Sequence, residues 1–445
     1  MKRFHRQTLA TGLAAAILVS SLAGCANPGT TASGGSEASS ENAKSDVTIN
    51  VMLQKHTATD VLQTKFDKFT EETGIKVKAD VLPQEQIVAK TQLALSSGGS
   101  DVDVVMYDHM YTTQFAGAGW IRDLSPYIEK SKYDVDDFMA GFINALSYNG
   151  KSYALPIYGE STMLMYNKEL FKKAGLEKAP ANKEEFDAAV KKLTDAGIPS
   201  FVCRGDKSPG GNIYVWAGFL LGMGGSWFDQ SGKLSLNTPE AVAATQYYSD
   251  LLTKHSIPGG TTLTWDQVQL AIQQNKVAMA IDATNFAPRV ENPDNSTVSG
   301  KIGYAEVPEG VAIPSTACWG LAIPTGSQHP DEAWEFIKWA LSSDMQLQTT
   351  IEGDRCDVTR KSTMNAPEFT KKYNYDDGNW IKTTIAAMGK SPADYRPRIA
   401  DWAKLGDSVA GAVSSVVSGQ NNAKAALDQV QKDCGSMTYP AYNKK

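Results

Sequence analysis

Three acidic residues lie at or beside the ends of apolar stretches of this sequence. Asp108 follows the run Val104–Tyr107, Glu160 ends the segment Tyr-Gly-Glu, and Asp282 lies in Ile-Asp-Ala-Thr. A carboxylate accepts hydrogen bonds from hydroxyl groups, and Asp108 follows an expected strand, at the kind of strand end where ligands collect. These acids therefore suit a binding site for a hydroxyl-rich molecule. A carboxyl pair such as Glu160 with Asp282 would also suit a glycoside hydrolase.

Aromatic residues in the same parts of the sequence could supply flat surfaces to such a site. Trp319 is the leading candidate, followed by Tyr158, Tyr214 and Trp216. A ring can cover the mildly apolar C–H face of a sugar or polyol. Each of these rings could instead belong to the core, which is where the helical spacing of Trp334 and Trp339 places those two residues.

Other polar residues complete the candidate set. Asn285 follows Asp282 in the same segment, and His56 follows the first expected strand, as a ligand contact or as a solvated loop residue. Arg360 could bind adjacent hydroxyls in a bidentate manner or pair with a carboxylate of another lobe. Asp108 could equally cap a helix N-terminus.

The elements that must position these residues alternate along the chain. Val47–Leu53 and Ile75–Val81 alternate apolar and polar residues, which predicts strands, and Asp103–Tyr107 predicts a third strand. Between the first two strands, apolar residues at helical spacing predict a helix over Thr59–Thr73, which Gly74 can end. The alternation predicts an α/β fold with a largely parallel sheet and helices on both faces.

Two helices farther along carry capping signals. Asn182 with Glu185 three residues later predicts a helix start, and Gly197 can end that helix. Pro330, followed by two acidic residues, predicts the start of another helix.

The N-terminus has the features of an export signal. A basic leader precedes an apolar run from Leu9 to Leu22, which is too short to span a bilayer. Leu22-Ala-Gly-Cys25 resembles the bacterial lipobox, which predicts a signal peptide over 1–24 and lipid attachment at Cys25; the alternative is an ordinary signal peptide with an incidental cysteine. Residues 25–45, rich in Gly, Ser and Ala, predict a flexible tether. The chain is thus expected at the extracellular face of the cell membrane, or in the periplasm.

Composition limits the function classes. The chain of 445 residues has a formal net charge of −6 and 42% apolar residues. Its length after the tether allows two domains, and its acidic balance argues against a nucleic-acid partner.

The remaining cysteines predict disulfides. Cys203, Cys318, Cys356 and Cys434 give an even number in an exported chain, with three possible connectivities. The favoured pairs are Cys318 with Cys356 and Cys203 with Cys434, and the alternative is four buried thiols. None of the spacings is typical of zinc, so neither a metal nor a cofactor is predicted.

Five segments, taken in order, resemble family 1 extracellular sugar-binding proteins over nearly all of the mature chain. They are YGESTMLMYNKELFKKAGL at 158–176, GGSWFDQSGKLSLNTPEAVAATQYYSDLL at 224–252, VAMAIDATNFA at 277–287, CWGLAIPTGSQHPDEAWEFIKWALS at 318–342 and TRKS at 359–362. YGES, IDAT and TRKS are most similar to the sorbitol- and mannitol-binding branch. Residues 315–318 and 203–211 depart from that branch's usual pattern, and both are expected to line the cleft.

The resemblance implies a two-lobed, type II periplasmic-binding-protein-like fold with discontinuous lobes. One lobe would take residues 46–156 and 319–345, and the other would take 157–318 and 346–445. Hinge strands near Pro156, Cys318 and Leu341 would let the lobes close on a ligand. Glu160, at the first crossing, would contact the ligand or form a hinge hydrogen bond.

The function implied is that of a monomeric binding component, and not an enzyme. It would deliver a small carbohydrate or polyol to an ABC permease. The alternatives are the same fold with an oligosaccharide, peptide or anionic ligand, a glycoside hydrolase, and a purely adhesive surface protein. The sequence has no G-x-S-x-G, H-E-x-x-H or P-loop motif to favour an enzyme.

Overall fold

The computed structural model describes residues 46–208 and 210–439, without the side chain of Glu85. The predicted signal peptide, the lipid-bearing Cys25 and the tether lie outside the described residues.

Eleven strands are present in the described part of the chain. They are β1 Thr48–Gln54, β2 Lys76–Leu82, β3 Val104–Asp108, β4 Ser147–Tyr148, β5 Lys151–Ser152, β6 Leu155–Glu160, β7 Thr162–Asn167, β8 Phe201–Val202, β9 Met279–Ala283, β10 Ile302–Ala305 and β11 Ala317–Ala322.

Helices occupy most of the sequence between the strands. They are α1 Thr57–Gln63, α2 Phe66–Thr73, α3 Gln84–Ser96, α4 Thr112–Gly117, α5 Ser125–Ser131, α6 Ala140–Ala145, α7 Lys168–Lys173, α8 Lys183–Asp195, α9 Asn212–Gly222, α10 Pro239–Lys254, α11 Trp265–Gln273, α12 Ala287–Val290, α13 Pro330–Ala340, α14 Ser343–Glu352, α15 Lys361–Asn365, α16 Pro367–Lys372, α17 Asn379–Lys390, α18 Trp402–Val417 and α19 Ala423–Cys434. Short 3₁₀ turns occur at His109–Tyr111, Gly260–Thr262 and Thr284–Phe286.

The first sheet has the strand order β2-β1-β3-β11-β6. Strands β1, β2 and β3 run parallel, and β11 pairs antiparallel with both β3 and β6. Helices α2 and α3 pack on this sheet, and α6 packs on β6 and β11. We call this sheet with the helices packed on it the first half.

The second sheet has the order β10-β7-β9-β8. Only the β8–β9 pair in it is parallel, so the expectation of a largely parallel sheet holds for β1–β3 and is wrong for the rest. Helix α11 packs on β9 and α17 packs on β7 and β10, while α10 packs on β8, α9 and α18. We call this sheet with these helices the second half.

The chain passes between the halves at two serines. Strand β6 belongs to the first sheet up to Glu160, and β7 of the second sheet begins after Ser161. The return is at Ser315, just before β11. The Ser161 hydroxyl donates to the Ser315 carbonyl at 2.7 Å, so the two crossings are bonded to each other.

These positions differ from the predicted boundaries after residues 156 and 318, because β6 and β11 stay paired out to Glu160 and Ala317. Residues after 346 also begin in the first half, since α14 packs on α1 and Gln346 donates to the Ile157 carbonyl. The division into lobes that move against each other stays a prediction.

Local signals gave most helix ends correctly. Asn182 accepts the Glu185 backbone N–H, Pro330 opens α13, and Gly74 ends α2 with φ 79°. The single helix expected over Thr59–Thr73 is two helices, because the chain turns at Thr64 and Lys65. Trp334 is buried, and Trp339 packs on Phe69 with ring centroids 4.9 Å apart, as predicted for core residues.

The expected disulfides are absent from the structure, in which the four described cysteines are buried free thiols. Cys318 pairs with Gly159 of β6, and the Gly159 N–H donates to Asp357 beside Cys356, so β6 separates these two cysteines. Strands lie ~4.8 Å apart, which places the two beyond the ~7 Å Cα separation that a disulfide allows. Cys434 contacts Ser408, whereas Cys203 lies near Tyr248.

In the stretches 46–208 and 210–439, no helix is both long enough and apolar enough to cross a bilayer.

Candidate ligand-binding site

Three predicted site residues form a row across adjacent strands of the first sheet. Trp319 of β11 lies opposite Asp108 of β3 on one side and opposite Tyr158 of β6 on the other. Side chains at directly opposite positions share a face of the sheet. The Trp319 and Tyr158 ring centroids are 6.4 Å apart, and both side chains are largely buried. The row supplies aromatic surface next to a carboxylate.

His56 extends this aromatic surface but offers no free nitrogen. Its ring stacks on Tyr158 with centroids 4.1 Å apart and an interplanar angle of 19°. Its Nδ1 accepts the Ala58 N–H at 3.2 Å, and its Nε2 lies 3.1 Å from Asp357 Oδ2. Both nitrogens are thus engaged within the protein, so His56 caps α1 and stacks on Tyr158, and its predicted ligand contact stays a prediction.

Asp357, which sequence reasoning missed, holds His56 in place. Arg355 Nε donates to Asp357 Oδ1 at 2.6 Å. Burial would raise the pKa of Asp357, but the Arg355 charge and then His56 outweigh burial and hold that pKa well below its usual range. The group is therefore a fixed carboxylate that orients the ring wall.

Asp282 and Arg204 form a buried ion pair in the second half. Arg204 Nε and Nη2 lie 2.9 and 2.8 Å from Asp282 Oδ1, and the guanidinium lies 4.0 Å from the Tyr214 ring centroid. Burial raises the pKa of Asp282, although Arg204 opposes that rise. The other oxygen, Asp282 Oδ2, is buried and has no hydrogen-bond partner among the described residues. A buried acceptor without a partner is a place where a ligand hydroxyl can bind.

Glu160 lies at the junction of the halves, at the last position of β6. Its side chain keeps partial exposure. Burial raises the pKa of Glu160 to about 7; Arg204 opposes the rise, and the carboxylates of Asp357 and Asp282 add to it. This carboxyl is consequently near its midpoint at neutral pH and can act as donor or acceptor.

Asp108 has the helix-capping role, one of the two roles that the sequence left open, and its ligand contact stays a prediction. It accepts the Met110 N–H at 3.3 Å as a helix cap, and its Oδ1 lies 2.9 Å from Nδ1 of buried His109. Although burial would raise the pKa of Asp108, the His109 hydrogen bond and the Arg396 charge lower it. The partly exposed Asp108 is thus an ionised carboxylate beside Trp319.

Two predicted site residues, Trp216 and Arg360, make contacts outside this cluster, and a third, Asn285, is partly exposed beside it. Trp216 is fully buried, its indole N–H donates to Thr245 Oγ1 at 3.0 Å, and its ring packs on Trp227, so it is a core residue. Arg360 donates to Asp137 at 2.8 Å and lies over the Phe138 ring, which makes the structural pairing the correct alternative. Asn285 follows β9 and is partly exposed.

The site residues that the sequence did not predict, Arg204, Arg355 and Asp357, all lie outside the helices and strands. Arg204 lies in CRGDKSPGG, a segment already singled out as unusual, and Arg355 and Asp357 immediately precede TRKS. An arginine in an unusual loop was a usable signal for Arg204. Nothing local in the sequence indicates that Asp357 reaches His56.

The site has no metal-binding character, since no His, Cys, Asp and Glu side chains in the described residues gather in a set that could hold an ion. Two surface cavities, of about 840 and 790 Å³, lie away from this cluster, one against β1, β2 and α3 and the other beside α9 and β10. The cluster itself is packed between the halves and combines ring faces with hydrogen-bond acceptors.

The fold is that of bacterial solute-binding proteins. Residues 55–347 match the family model described as bacterial extracellular solute-binding protein. The match covers more than half of the chain, so the chain belongs to this family. Membership confirms the prediction of an extracellular solute-binding protein, not an enzyme.

Individual relatives cover most of the chain. The erythritol/L-threitol-binding protein of Mycolicibacterium smegmatis is 24% identical over an alignment of 447 positions that covers 90% of this chain and 92% of the relative. The mannitol-binding protein of Pseudomonas aeruginosa is 25% identical over 395 residues, covering 83% and 88%. The crystal structure of an ABC transporter solute-binding protein from Agrobacterium radiobacter in complex with ribitol has a TM-score of 0.77 and 28% identity, covering 87% of this chain and 98% of that one. These likenesses confirm the predicted fold class.

Proposed function

We propose that this chain is the substrate-binding component of an ABC importer and that its ligand is a neutral polyol or small sugar held between the two halves. The observation that carries the proposal is a cluster of aromatic rings and carboxyl acceptors at the junction of the halves, where Arg204 and Arg355 are already paired with carboxylates. The rings of Tyr158, Trp319 and His56, which we call the ring wall, supply the aromatic surface. The acceptors are the Glu160 carboxyl and Asp282 Oδ2, which has no hydrogen-bond partner among the described residues.

The charges of the site favour a neutral ligand over an anionic one. Arg204 pairs with Asp282, Arg355 pairs with Asp357, and the Arg396 charge acts on Asp108. An anion would meet these carboxylates without an uncommitted cation to offset them, and the desolvation of its charge would go uncompensated. Hydroxyl groups, in contrast, donate to carboxylate oxygens without that cost.

The ligands named for the relatives agree with this chemistry, because erythritol, threitol, mannitol and ribitol are all acyclic polyols. An acyclic polyol presents alternating C–H and O–H groups, which suits rings on one side and acceptors on the other.

Binding would be coupled to closure of the halves about the crossings at Ser161 and Ser315. A ligand that contacts both halves favours the closed form, since only there are both sets of contacts made. The closed complex would then dock on the membrane permease as a monomer.

The N-terminal segments support a lipoprotein at the extracellular face. We expect removal of the signal peptide 1–24, lipid attachment at Cys25, and display of the folded part through the tether 25–45. Mass spectrometry of the membrane fraction would detect the lipid on a mature N-terminal cysteine. A mature chain without lipid would leave the solute-binding proposal intact and remove the anchor.

A thermal-shift panel tests the ligand class. The chain without residues 1–25 is melted with neutral polyols, neutral sugars, oligosaccharides, short peptides and anionic sugar acids. A ligand specific for the native state adds about 2.7 kcal/mol of stability at a hundredfold excess over Kd. We expect a shift for at least one polyol or small sugar, diminished in Trp319→Ala. A shift confined to acids or peptides would overturn the proposal.

A further inference from the structure

A loop of the second half reaches across to the first half. Residues 391–399, which we call the strap, lie between α17 and α18. Both helices pack in the second half, and α17 also contacts α6 of the first half. The strap contains the sequence Arg396-Pro-Arg398, a pair of cations that the sequence analysis did not single out.

The strap is anchored in the second half by Tyr395. This side chain is fully buried, and its hydroxyl donates to the Tyr214 carbonyl at 2.7 Å. The Trp227 indole donates to the Tyr395 carbonyl at 2.9 Å. The strap therefore keeps a fixed position relative to Tyr214, a residue of the site.

Arg398 binds the strap to the first half. Its Nη1 lies 2.9, 3.2 and 3.1 Å from the carbonyl oxygens of Asn144, Ala145 and Ser147, at the end of α6. The carbonyls of Asn144 and Ala145 belong to the group that a helix end leaves without partners. Its Nε donates to Asp394 at 2.8 Å, which orients the guanidinium. Because α6 packs on β6 and β11, this contact ties the strap to the strands that carry Tyr158 and Trp319.

Arg396, two residues before Arg398 in the strap, packs beside Tyr214 of the site. It is 4% exposed, and its guanidinium lies 5.6 Å from the Tyr214 ring centroid. Its charge helps to lower the pKa of Asp108 in the first half. Its position depends on where the strap is held.

We propose that Arg398 is a positioning residue: by tying the strap to the end of α6, it holds Arg396 beside Tyr214 and stabilises the observed arrangement of the two halves. Ligand affinity then depends on a residue that does not contact the ligand. This inference rests on the proposed solute-binding function for its affinity readout, but its structural readout is independent of any ligand.

The experiment compares Arg398→Ala, Arg398→Lys and Arg122→Ala with the parent protein. Arg122 is the matched control, because its guanidinium also donates to backbone carbonyls, those of Thr325 and Ser327, within the first half. Nitroxide labels on Lys130→Cys and Lys191→Cys, exposed positions in α5 and α8, report the distance between the halves. Calorimetric titration with ribitol, mannitol and erythritol reports Kd.

We expect Arg398→Ala to lengthen the distance distribution and to weaken polyol binding by about tenfold to a hundredfold, the usual effect of losing hydrogen bonds from a charged group. Arg398→Lys should retain part of the parent's interhalf distance and part of its polyol affinity. Arg122→Ala should change neither the distance nor the affinity. If Arg398→Ala fails to fold, Arg398→Lys alone must show a smaller loss in the same direction.

A distance distribution and Kd equal to those of the parent in both Arg398 variants would overturn the proposal. If the parent binds none of the polyols, the proposed function fails, and the distances in ligand-free protein still decide the role of Arg398.

Discussion

The Glu160 carboxyl is placed where losing its proton is costly. Burial raises its pKa to about 7 from an ordinary value of 4.5, with only partial relief from Arg204. Between these two values the folded state binds more protons at this position than the unfolded state. The contribution of Glu160 to stability therefore decreases as pH rises from about 4.5 to about 7.

Glu160→Gln removes this loss, because an amide of similar shape does not ionise. We expect the variant to gain about 1–3 kcal/mol of unfolding free energy relative to the parent between pH 4.5 and pH 7.5, with the gain growing through that interval. Urea denaturation at a series of pH values measures the difference. Glu129→Gln, at an exposed position on α5, is the control. If the unfolding free energies of the parent and Glu160→Gln changed with pH in the same way, the raised pKa of Glu160 would be contradicted.

The Arg204–Asp282 pair should behave as a coupled unit. Removing one partner leaves the other as an uncompensated buried charge, so Arg204→Met should cost about 3–5 kcal/mol of stability. Asp282→Asn in the same background should restore part of the loss. A double-mutant cycle by chemical denaturation measures the coupling. Strictly additive effects would mean that the two side chains do not share a buried environment.

At the residue scale, the predicted site residues that the structure gathers are those whose local segments carried a signal. Asp108, Tyr158, Glu160, Asp282 and Trp319 each lie in or beside a strand with a recognisable pattern, and the structure brings them to one region. Trp216 could not be separated from these, because a core tryptophan and a surface platform look alike in one sequence. The partners of His56 are set by a contact between residues about three hundred positions apart.

At the scale of elements, β6 is held closely against α6. A Cβ added to Gly159 would lie 2.6 Å from the Phe142 ring, and Gly159 separates two site residues, Tyr158 and Glu160. The strand therefore needs a glycine at this point for packing and not for backbone freedom.

Gly159→Ala tests this close approach. The added methyl must displace Phe142 or β6, and overpacking of this kind costs about 1–3 kcal/mol. We expect a lower melting temperature and weaker polyol binding, because Tyr158 and Glu160 move with the strand. Gly389→Ala in α17 is the control, since a Cβ there meets no atom within 4 Å. An unchanged melting temperature in Gly159→Ala would show that Phe142 and β6 can move apart without cost, which would contradict the close packing of β6 on α6.

The element pattern was predictable from period and caps, but strand direction was not. The apolar sequence of β11 is compatible with either orientation, and its partners β3 and β6 lie far away in the chain. The break between α1 and α2 was also missed, because the apolar spacing of Leu62, Phe66 and Phe69 continues across it.

At the scale of the whole molecule, the four described cysteines are dispersed and buried. Burial raises the pKa of Cys203, Cys318 and Cys356 well above the ordinary value, which keeps these thiols protonated and unreactive in the folded state. The sequence could not give this result, because an even cysteine count in an exported chain is equally compatible with disulfides.

A thiol titration of the chain without residues 1–25 checks this finding. We expect four reactive thiols per chain in denaturant, very slow reaction in the native state, and a melting temperature that a reductant does not change. If only two thiols react in denaturant, one disulfide is present, and if none reacts, both are; either result would contradict the finding of four free thiols.

The central claim concerns the molecule as a whole: the two halves bind a neutral polyhydroxylated solute between the ring wall of the first half and the acceptors at Glu160 and Asp282. The most direct test is calorimetric titration of ribitol, mannitol and erythritol into the parent protein, Glu160→Gln and Glu129→Gln at neutral pH. Glu160→Gln is suited to this test because it is expected to be at least as stable as the parent. We predict saturable binding of at least one polyol, unchanged in Glu129→Gln and weakened about tenfold or more in Glu160→Gln. Absence of binding to the parent, or equal affinity in the parent and Glu160→Gln, would contradict the account.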